Sequence, residues 1–498
     1  MARIAPIGRQ SGDLKLYPVA PDVYFYRGFF SNSVVLVLPR CVVVVDTQIT
    51  PKAGHRLREA IRKVTDRPVT HVINTHYHGD HAGGNAAFPD AEIISTIDTA
   101  RFIEERDEER LEYANTFGLQ FQDVPEVGRP TRTFEVELIL PLGGERLHVF
   151  QAGRVETPDA CAVWWPSRRV LCPGDGIATV GYPYLGVPFL DEGLQDDGEW
   201  VRYLRAMEKL NAEYVLAGHG PGLIGKQRIK ARLTLLIELF TELFAAVKEE
   251  MAAGTALPEL FDRVDARLER FGKHRDLQQN TVSQRFAIYR AYNSARADRR
   301  GQGWWHDFRP SVVKRAPREA ALLALAKVPP AQLAAAIQEK RKQKDAPLAH
   351  AMLDLWLEAH PEDPLARGLL ADLAFDSAAG VSPVVDATEY VKLAADAAKR
   401  GLFADPNAQL AKLNLGCIEI WSAMVLAQSM DPGMQKIEAA MASGGLSRPQ
   451  LRKAAFFLGK AHQYEYRDVE SDRWLKQVLP GWLRWAYPLV RKRLRATP

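Results

Sequence analysis

The stretch VINTHYHGDHAGG (residues 72–84) places three of the twelve histidines of the chain, and one aspartate, within six consecutive residues. An apolar run ends just before this cluster and two glycines close it, a pattern that predicts a loop at the end of a strand. Imidazole nitrogen and carboxylate oxygen are the ligand atoms that zinc-class divalent ions take from proteins. Alternate residues of an extended segment point the same way, so His76 and His78 can reach one ion, while Asp80 and His81 turn toward a second. The spacing therefore predicts a site for two metal ions.

Two ions need more ligands than these four, and three further candidates lie at predicted strand ends. Asp175 closes RVLCPGD, His219 lies in YVLAGHGP, and Glu156 stands just before the strand-like ACAVWWP. Each is weak evidence by itself, because an acidic residue after a strand is commonly a turn or helix-cap residue. Together they are stronger evidence for the remaining ligands. Asp46, which closes CVVVVDT, is expected to orient ligand loops through hydrogen bonds.

Composition indicates a multidomain globular protein. The chain has 498 residues, more than the roughly 250–300 at which a single hydrophobic core stops growing. Its net charge of +4 is too small to indicate a nucleic-acid-binding protein. The four cysteines are scattered in apolar contexts, which is typical of small buried side chains and not of a disulfide framework. The sequence shows neither a secretory signal nor a transmembrane segment, so the expected location is the cytoplasm.

The chain divides into a part with mixed structure and a helical part. Up to about residue 225, β-branched runs alternate with helical patterns, which predicts an α/β domain with helices outside sheets. From about residue 226 onward apolar residues recur at intervals of three and four residues, which is typical of helices, and no strand-like pattern follows. We predict a catalytic domain over 1–225, a helical extension and connection over 226–320, and an all-α domain over 321–498.

The motif THYHGDH, with Asp46, CPGD and AGHG, resembles the metallo-β-lactamase superfamily over about residues 18–225. This resemblance implies an αββα sandwich with a dinuclear metal site on one edge, followed here by the all-α C-terminal region. Most members of the superfamily have a histidine in a GHTPD-like turn, where this chain has Glu156 before TPD. A glutamate at this position is typical of the alkylsulfatase branch. That branch implies one ion on His76, His78 and Glu156, a second ion on Asp80, His81 and His219, and Asp175 as the bridge.

The same resemblance extends into the helices. The segment AIYRAY (residues 287–292) and the later helix pairs are similar to the helical dimerisation domain of the alkylsulfatases. The protein is therefore expected to form a homodimer through its helical region.

The expected chemistry is hydrolysis of a small-molecule ester by a metal-bound hydroxide. Asp80 would orient this nucleophile, and Tyr182, Tyr184 or His306 would protonate the leaving group. The ligand set fits two divalent ions, zinc first, with manganese or iron also compatible. A sulfate ester of the alkylsulfatase type is the first expectation for the substrate. A lactone, β-lactam, carboxyl or phosphoric ester is the alternative, and a non-catalytic dimeric docking protein with structural metals is the alternative of another class.

Overall fold

Two β-sheets and their flanking helices make up the first half of the molecule. The computed structural model describes residues 15–28, 31–105, 128–151, 153–183, 185, 198–277, 281–295, 313–378, 384–426, 430–464 and 467–478. Its described residues up to 295 belong to one compact unit, and those from 313 onward belong to another. The finer division of the chain at residues 225 and 320 stays a prediction.

The first sheet has seven strands in sequence order. Its strands are β1 (Lys15–Ala20), β2 (Val23–Arg27), β3 (Asn32–Val37), β4 (Val42–Val45), β5 (Val69–Ile73), β6 (Glu92–Thr96) and β7 (Arg132–Phe134). The first four strands pair antiparallel and the remaining pairs are parallel. The valine-rich β3 and β4 form an antiparallel pair joined by a tight turn, because β-branched side chains suit a sheet that is buried on both faces.

The second sheet has six strands, in the order β13-β12-β11-β10-β9-β8. Its strands are β8 (Glu137–Leu142), β9 (Glu145–Phe150), β10 (Ala162–Trp165), β11 (Val170–Cys172), β12 (Tyr214–Val215) and β13 (Leu223–Ile224). Only the β11–β12 pair is parallel. Side chains of the two sheets form one shared core, in which Phe25 and Val43 of the first sheet join Val163 and Trp165 of the second at 0–1% exposure.

Helices cover the outer faces of both sheets. Leu57 and Ile61 of α1 (Pro51–Arg62) pack on the outer valines of β4 and β5, and burying each such side chain stabilises the fold by about 1.5–3 kcal/mol. Thr50 begins this helix, since its hydroxyl accepts a hydrogen bond from Ala53 N. The long helix Lys226–Ala252 contacts β12 and β13 of the second sheet. The predicted αββα sandwich is confirmed.

The described part of the chain beyond β13 is helical, as predicted. Numbered in chain order, the helices after α1 are α2 (Gly79–Ala82), α3 (Ile97–Glu105), α4 (Glu199–Lys209), α5 (Lys226–Ala252), α6 (Leu257–Arg267), α7 (Glu269–Gly272), α8 (Thr281–Ala295), α9 (Arg318–Leu325), α10 (Leu333–Lys342), α11 (Ala346–Ala359), α12 (Pro364–Ala378), α13 (Val384–Ala404), α14 (Gln409–Leu426), α15 (Asp431–Ala442), α16 (Arg448–Tyr464) and α17 (Asp468–Val478). Among them no single helix has the length and apolarity to cross a membrane, and one bent pair, Arg318–Leu325 with Pro330–Lys342, meets that test by length and composition alone.

The second unit has its own core. Leu333 and Ile337 of α10 pack against Met352 and Leu353 of α11 and Leu370 of α12. All five side chains are almost fully buried, so this unit is held together by an amphipathic helix array and not by contacts to a sheet.

Candidate metal centre

The seven predicted ligands lie on loops and a short helix at strand ends of the two sheets. Their positions are the turn after β5 for His76 and His78, α2 for Asp80 and His81, the β9–β10 connection for Glu156, the turn after β11 for Asp175, and the β12–β13 connection for His219. The structure brings all seven into three overlapping groups in which the ligand atoms lie within 4.8 Å of one another. The fold therefore brings the seven side chains together, whereas their role as metal ligands stays a prediction.

The first group consists of His76, His78 and Glu156. Nε2 of His76 lies 3.0 Å from Nδ1 of His78 and 3.8 Å from Oε2 of Glu156. All three residues are buried, with exposures of 1%, 7% and 6%. Two imidazole nitrogens and a carboxylate oxygen therefore point at one small, dry space.

The second group consists of Asp80, His81 and His219, and Asp175 stands beside it. Nε2 of His219 lies 3.1 Å from Asp80 Oδ2 and 3.2 Å from Asp175 Oδ2. Nε2 of His81 lies 3.2 Å and 3.6 Å from the same two oxygens. Asp175 also shares a group with His76 and His81, so its carboxylate lies between the two sets, where a bridging ligand must be.

Asp46 orients the imidazoles of both groups. Its Oδ2 lies 2.9 Å from Nδ1 of His81 and 2.9 Å from Oγ1 of Thr75, and that hydroxyl lies 3.0 Å from Nδ1 of His76. A hydroxyl has one hydrogen, so when Thr75 donates it to Asp46 the oxygen accepts from Nδ1–H of His76. Both imidazoles are then held in the tautomer that presents an Nε2 lone pair to the cluster.

The backbone around Asp46 is strained. Asp46 and Gln48 have φ angles of 62° and 77°, a region that non-glycine residues rarely occupy. Hydrogen bonds from neighbouring residues stabilise this strained conformation. Thr75 N donates to Asp46 Oδ1 over 2.8 Å, and Gln48 Nε2 donates to Ser33 Oγ over 2.7 Å. Strained residues of this kind concentrate at functional sites.

The electrostatics of the cluster favour a cation. Burial lowers the pKa of His76 well below its usual value, and nearby imidazoles add to this effect. Burial opposes ionisation of Asp80, but His81 and His219 outweigh it and hold the pKa of Asp80 well below its usual range. Desolvation of the ring opposes protonation of His219 even though its side chain is 43% exposed, but Asp175 raises its pKa to about 10. Asp80 and Asp175 therefore stay anionic and keep neighbouring imidazoles protonated. A bound divalent ion can supply this positive charge in place of the protons.

The donor set fits a metal of the zinc class. Four imidazoles and three carboxylates are hard or borderline ligands without any thiolate. Oδ1 of Asp175 is buried and has no hydrogen-bond partner among the described residues, as expected of an oxygen placed to contact an ion. Gly218 leaves room beside it, because a Cβ there would lie 2.2 Å from that oxygen.

Two polar residues that sequence patterns did not single out hold the His219 loop. Nδ2 of Asn32 donates to Ala217 O over 2.9 Å and to Gly220 O over 3.0 Å. Arg27 donates to Oδ1 of Asn32 over 2.9 Å and to the Gly220 carbonyl. Both lie on strands β2 and β3 of the first sheet, so this sheet positions a ligand that belongs to the second.

Of the three predicted proton donors, the structure describes only Tyr182. The side chain of Tyr182 is buried, and burial followed by the carboxylate of Asp265 raises its pKa. Arg232 holds the loop before it by donating to the carbonyls of Ala178 and Gly181. Tyr184 and His306 lie outside the described residues. A role for Tyr182 in proton transfer stays a prediction.

Comparisons with known proteins identify the superfamily that the two-sheet domain matches. The model of the metallo-β-lactamase superfamily matches residues 26–219. A metallo-β-lactamase type 2 of Elizabethkingia meningoseptica is 26% identical over 224 residues, which cover 43% of this chain and 81% of that protein. A linear primary-alkylsulfatase of Pseudomonas sp. is 21% identical over 257 residues, 45% of this chain and 48% of that protein. The match therefore spans about half the length of this alkylsulfatase.

Among solved structures, the stereoselective inverting sec-alkylsulfatase Pisa1 from Pseudomonas sp. is similar with a TM-score of 0.54 at 15% identity. The superposition covers 82% of this chain and 70% of that chain. At this identity the likeness shows the fold alone. Its coverage extends beyond residues 26–219, so the fold likeness includes helical segments that follow the two-sheet domain.

Proposed function

We propose, from the premise that residues 26–219 form a metallo-β-lactamase domain, that the protein is a hydrolase that uses two divalent ions to cleave a sulfate ester. The observation that carries this proposal is the first ligand group, in which the carboxylate of Glu156 joins His76 and His78 in a buried space. The second group, with Asp175 beside both, supplies the remaining donors.

The chain would bind one ion through His76, His78 and Glu156 and the other through Asp80, His81 and His219. When bound, such ions act as Lewis acids and lower the pKa of water toward neutrality. The protein itself orients the imidazoles through Asp46 and keeps water away from the first group by burial. The Asp80 carboxylate, which is 15% exposed, would orient a water molecule.

A sulfate ester is favoured over other esters by the identity of residue 156 together with the alkylsulfatase relative. An anionic glutamate in place of a neutral imidazole adds negative charge at the first ion and weakens its Lewis acidity. A sulfate monoester has no carbonyl group for an ion to polarise, and its hydrolysis adds water across the ester and releases an alcohol and inorganic sulfate. The fold likeness to an alkylsulfatase is consistent with this choice.

The test is metal analysis combined with substrate assays on purified full-length protein. We expect two equivalents of ion, zinc first, and release of inorganic sulfate from medium-chain primary and secondary alkyl sulfates. Glu156→Gln should bind fewer ions and lose turnover, whereas Glu137→Gln, at an exposed glutamate of the same domain, should match the wild type. Metal-loaded protein that leaves every alkyl sulfate intact refutes the substrate, and protein that binds no ion refutes the centre.

β-Lactam hydrolysis is the second candidate, because the metallo-β-lactamase of Elizabethkingia meningoseptica is matched over 81% of its length. A chromogenic cephalosporin assayed beside the alkyl sulfates separates the two. Turnover of the cephalosporin with no sulfate release would replace the first proposal with this one.

The proposal extends to the assembly and location of the protein. We propose a homodimer formed through the helical region and a cytoplasmic location, which is supported by the four buried free cysteines. Light scattering of the full chain and of a chain that ends before residue 313 tests the dimer. A monomeric full-length protein would contradict it.

A further inference from the structure

Asp159 is a buried carboxylate that the sequence patterns did not assign to the metal site. It has 0% exposure and lies three residues after Glu156. Its Oδ2 accepts a hydrogen bond from Tyr77 N over 2.9 Å and another from Thr99 Oγ1 over 2.7 Å. Burial of a carboxylate costs free energy of folding unless the group is hydrogen-bonded, so the partners of a buried carboxylate indicate its role.

The hydrogen bond from Tyr77 N to Asp159 matters because Tyr77 lies between two predicted ligands. Tyr77 stands between His76 and His78, and its ring packs 5.5 Å from the ring of Phe102 and 4.8 Å from that of His78. The amide that donates to Asp159 therefore belongs to the peptide bond between His76 and Tyr77, in the short stretch of chain that links His76 to His78. We expect a shift of this amide to move the backbone that carries both imidazoles.

Main-chain contacts complete a clamp between two segments, which we define as the ligand segment (residues 75–78) and the glutamate segment (residues 156–161). Cys161 N donates to Thr75 O over 2.8 Å at one end of the pair. Thr96 Oγ1, at the end of β6 and outside both segments, donates to the carbonyl of Asp159 over 3.0 Å. The Asp159 carboxylate is a side-chain connection between the two segments, and through Thr99 it ties both to the start of α3.

We propose that Asp159 is a positioning residue that sets the spacing between Glu156 and the His76–His78 pair, an inference that rests on the proposed two-ion function. It acts through the backbone of Tyr77 and does not contact the ion. Its removal should loosen the first ligand group selectively, because the second group is held by Asp46 and Asn32.

Three variants separate positioning from a general structural role. Asp159→Ala removes both hydrogen bonds and should weaken binding of the first ion by about 10–100-fold, as removal of supporting partners of metal ligands does. Asp159→Asn keeps an acceptor oxygen of the same shape and should recover most of that loss. Thr99→Val keeps the bond to Tyr77 and should fall between Asp159→Ala and the wild type. The matched control is Gln151→Ala, because Gln151 Nε2 donates to Pro158 O over 3.0 Å in the same region without touching the ligand segment.

The experiment measures the affinity for each of the two ions by chelator competition, the visible spectrum of the cobalt-loaded protein, and deuterium uptake of metal-free protein over residues 74–81. The proposal expects Asp159→Ala, folded by circular dichroism, to lose affinity for the first ion, shift the cobalt spectrum and take up deuterium faster in this peptide, with Gln151→Ala unchanged. Wild-type affinity in Asp159→Ala, or an Asp159→Asn that behaves like the alanine variant, would overturn it. If Asp159→Ala does not fold, Asp159→Asn and Thr99→Val decide by the same readouts. Wild-type protein that binds no ion refutes the proposed function, and deuterium uptake in metal-free protein still decides the clamp.

Discussion

Replacing Gly218 by alanine should damage the metal centre through one misplaced methyl group. The new Cβ would lie 2.2 Å from Oδ1 of Asp175 and 2.5 Å from Cε1 of His81. The backbone cannot move away easily, because Gly218 N donates to Gly174 O over 2.9 Å and Gly218 O accepts from Asn32 N over 2.7 Å. Gly218 is not among the residues with positive φ, so alanine fits the backbone and only the collision remains.

The size of the effect follows from the distance that must be recovered. The van der Waals contact distance between non-bonded heavy atoms is roughly 3.5 Å, so the carboxylate of Asp175 must withdraw by roughly 1 Å. Asp175 is partly exposed and can withdraw, whereas His81 has 0% exposure, so its overlap with the new Cβ remains as strain. A displacement of about 1 Å at a reacting centre costs roughly 100-fold in rate, which corresponds to about 2.7 kcal/mol.

The assay is kcat/KM for the alkyl sulfate turned over fastest, together with bound metal and the urea midpoint. Gly218→Ala should show the loss in kcat/KM and weaker binding of one ion, together with a lower urea midpoint, because the new Cβ also overlaps the buried ring of His81. Gly79→Ala is the comparison from the same cluster, because a Cβ there meets nothing within 4 Å, and it should stay near the wild type. A Gly218→Ala enzyme with wild-type kcat/KM and two bound ions would refute the reasoning.

Three further predictions concern stability and metal release. Gly84→Ala would place a Cβ 1.9 Å from the carbonyl oxygen of Thr47, and this overpacking should lower the free energy of unfolding by about 1–3 kcal/mol, measured in urea. The side chain of His219 is 43% exposed and that of Glu156 is 7% exposed, so a chelator should remove the His219 ion first, and native mass spectrometry should show a one-ion intermediate. His350 is 1% exposed, and burial lowers its pKa from 6.5 to about 4, so its unfolded form binds more protons between these values. Stability present above pH 6.5 should therefore fall by up to about 3 kcal/mol as pH drops to 4, and His350→Phe should flatten that slope in urea titrations.

The sequence predicted the strands that are long enough to show a pattern. The valine runs of β3 and β4 and the apolar end of β5 stand out, because each buries several β-branched side chains in succession. The strand β13 contains two residues, too few to show a period of two, whereas β12 belongs to the segment YVL, which the sequence predicts as a strand that ends before His219. The place of both strands in the second sheet follows from the pairing of β12 with β11 and of β13 with β12, which only the folded chain reveals.

The same limit applies to the candidate site. The seven candidate ligands were visible because each is a polar side chain of the right chemistry at a predicted strand end. Asp159 and Asn32 were not visible, since their partners lie 82 and 185 residues away along the chain. An aspartate in a turn and an asparagine at the start of a strand are common residues in common places, and local spacing carries no information about contacts at such separations.

The ligand segment is supported from two sides, and the two supports act differently. Asp46 works on side chains, because its hydrogen bonds set the tautomers of His81 and, through Thr75, of His76. Asp159 works on the backbone, because it holds the Tyr77 amide. A change at Asp46 must therefore disturb both ligand groups at once, whereas a change at Asp159 disturbs the buried group alone. Ligand orientation and ligand spacing are therefore held by separate carboxylates, and a variant at Asp46 should differ from one at Asp159 in the number of ligand groups that it disturbs.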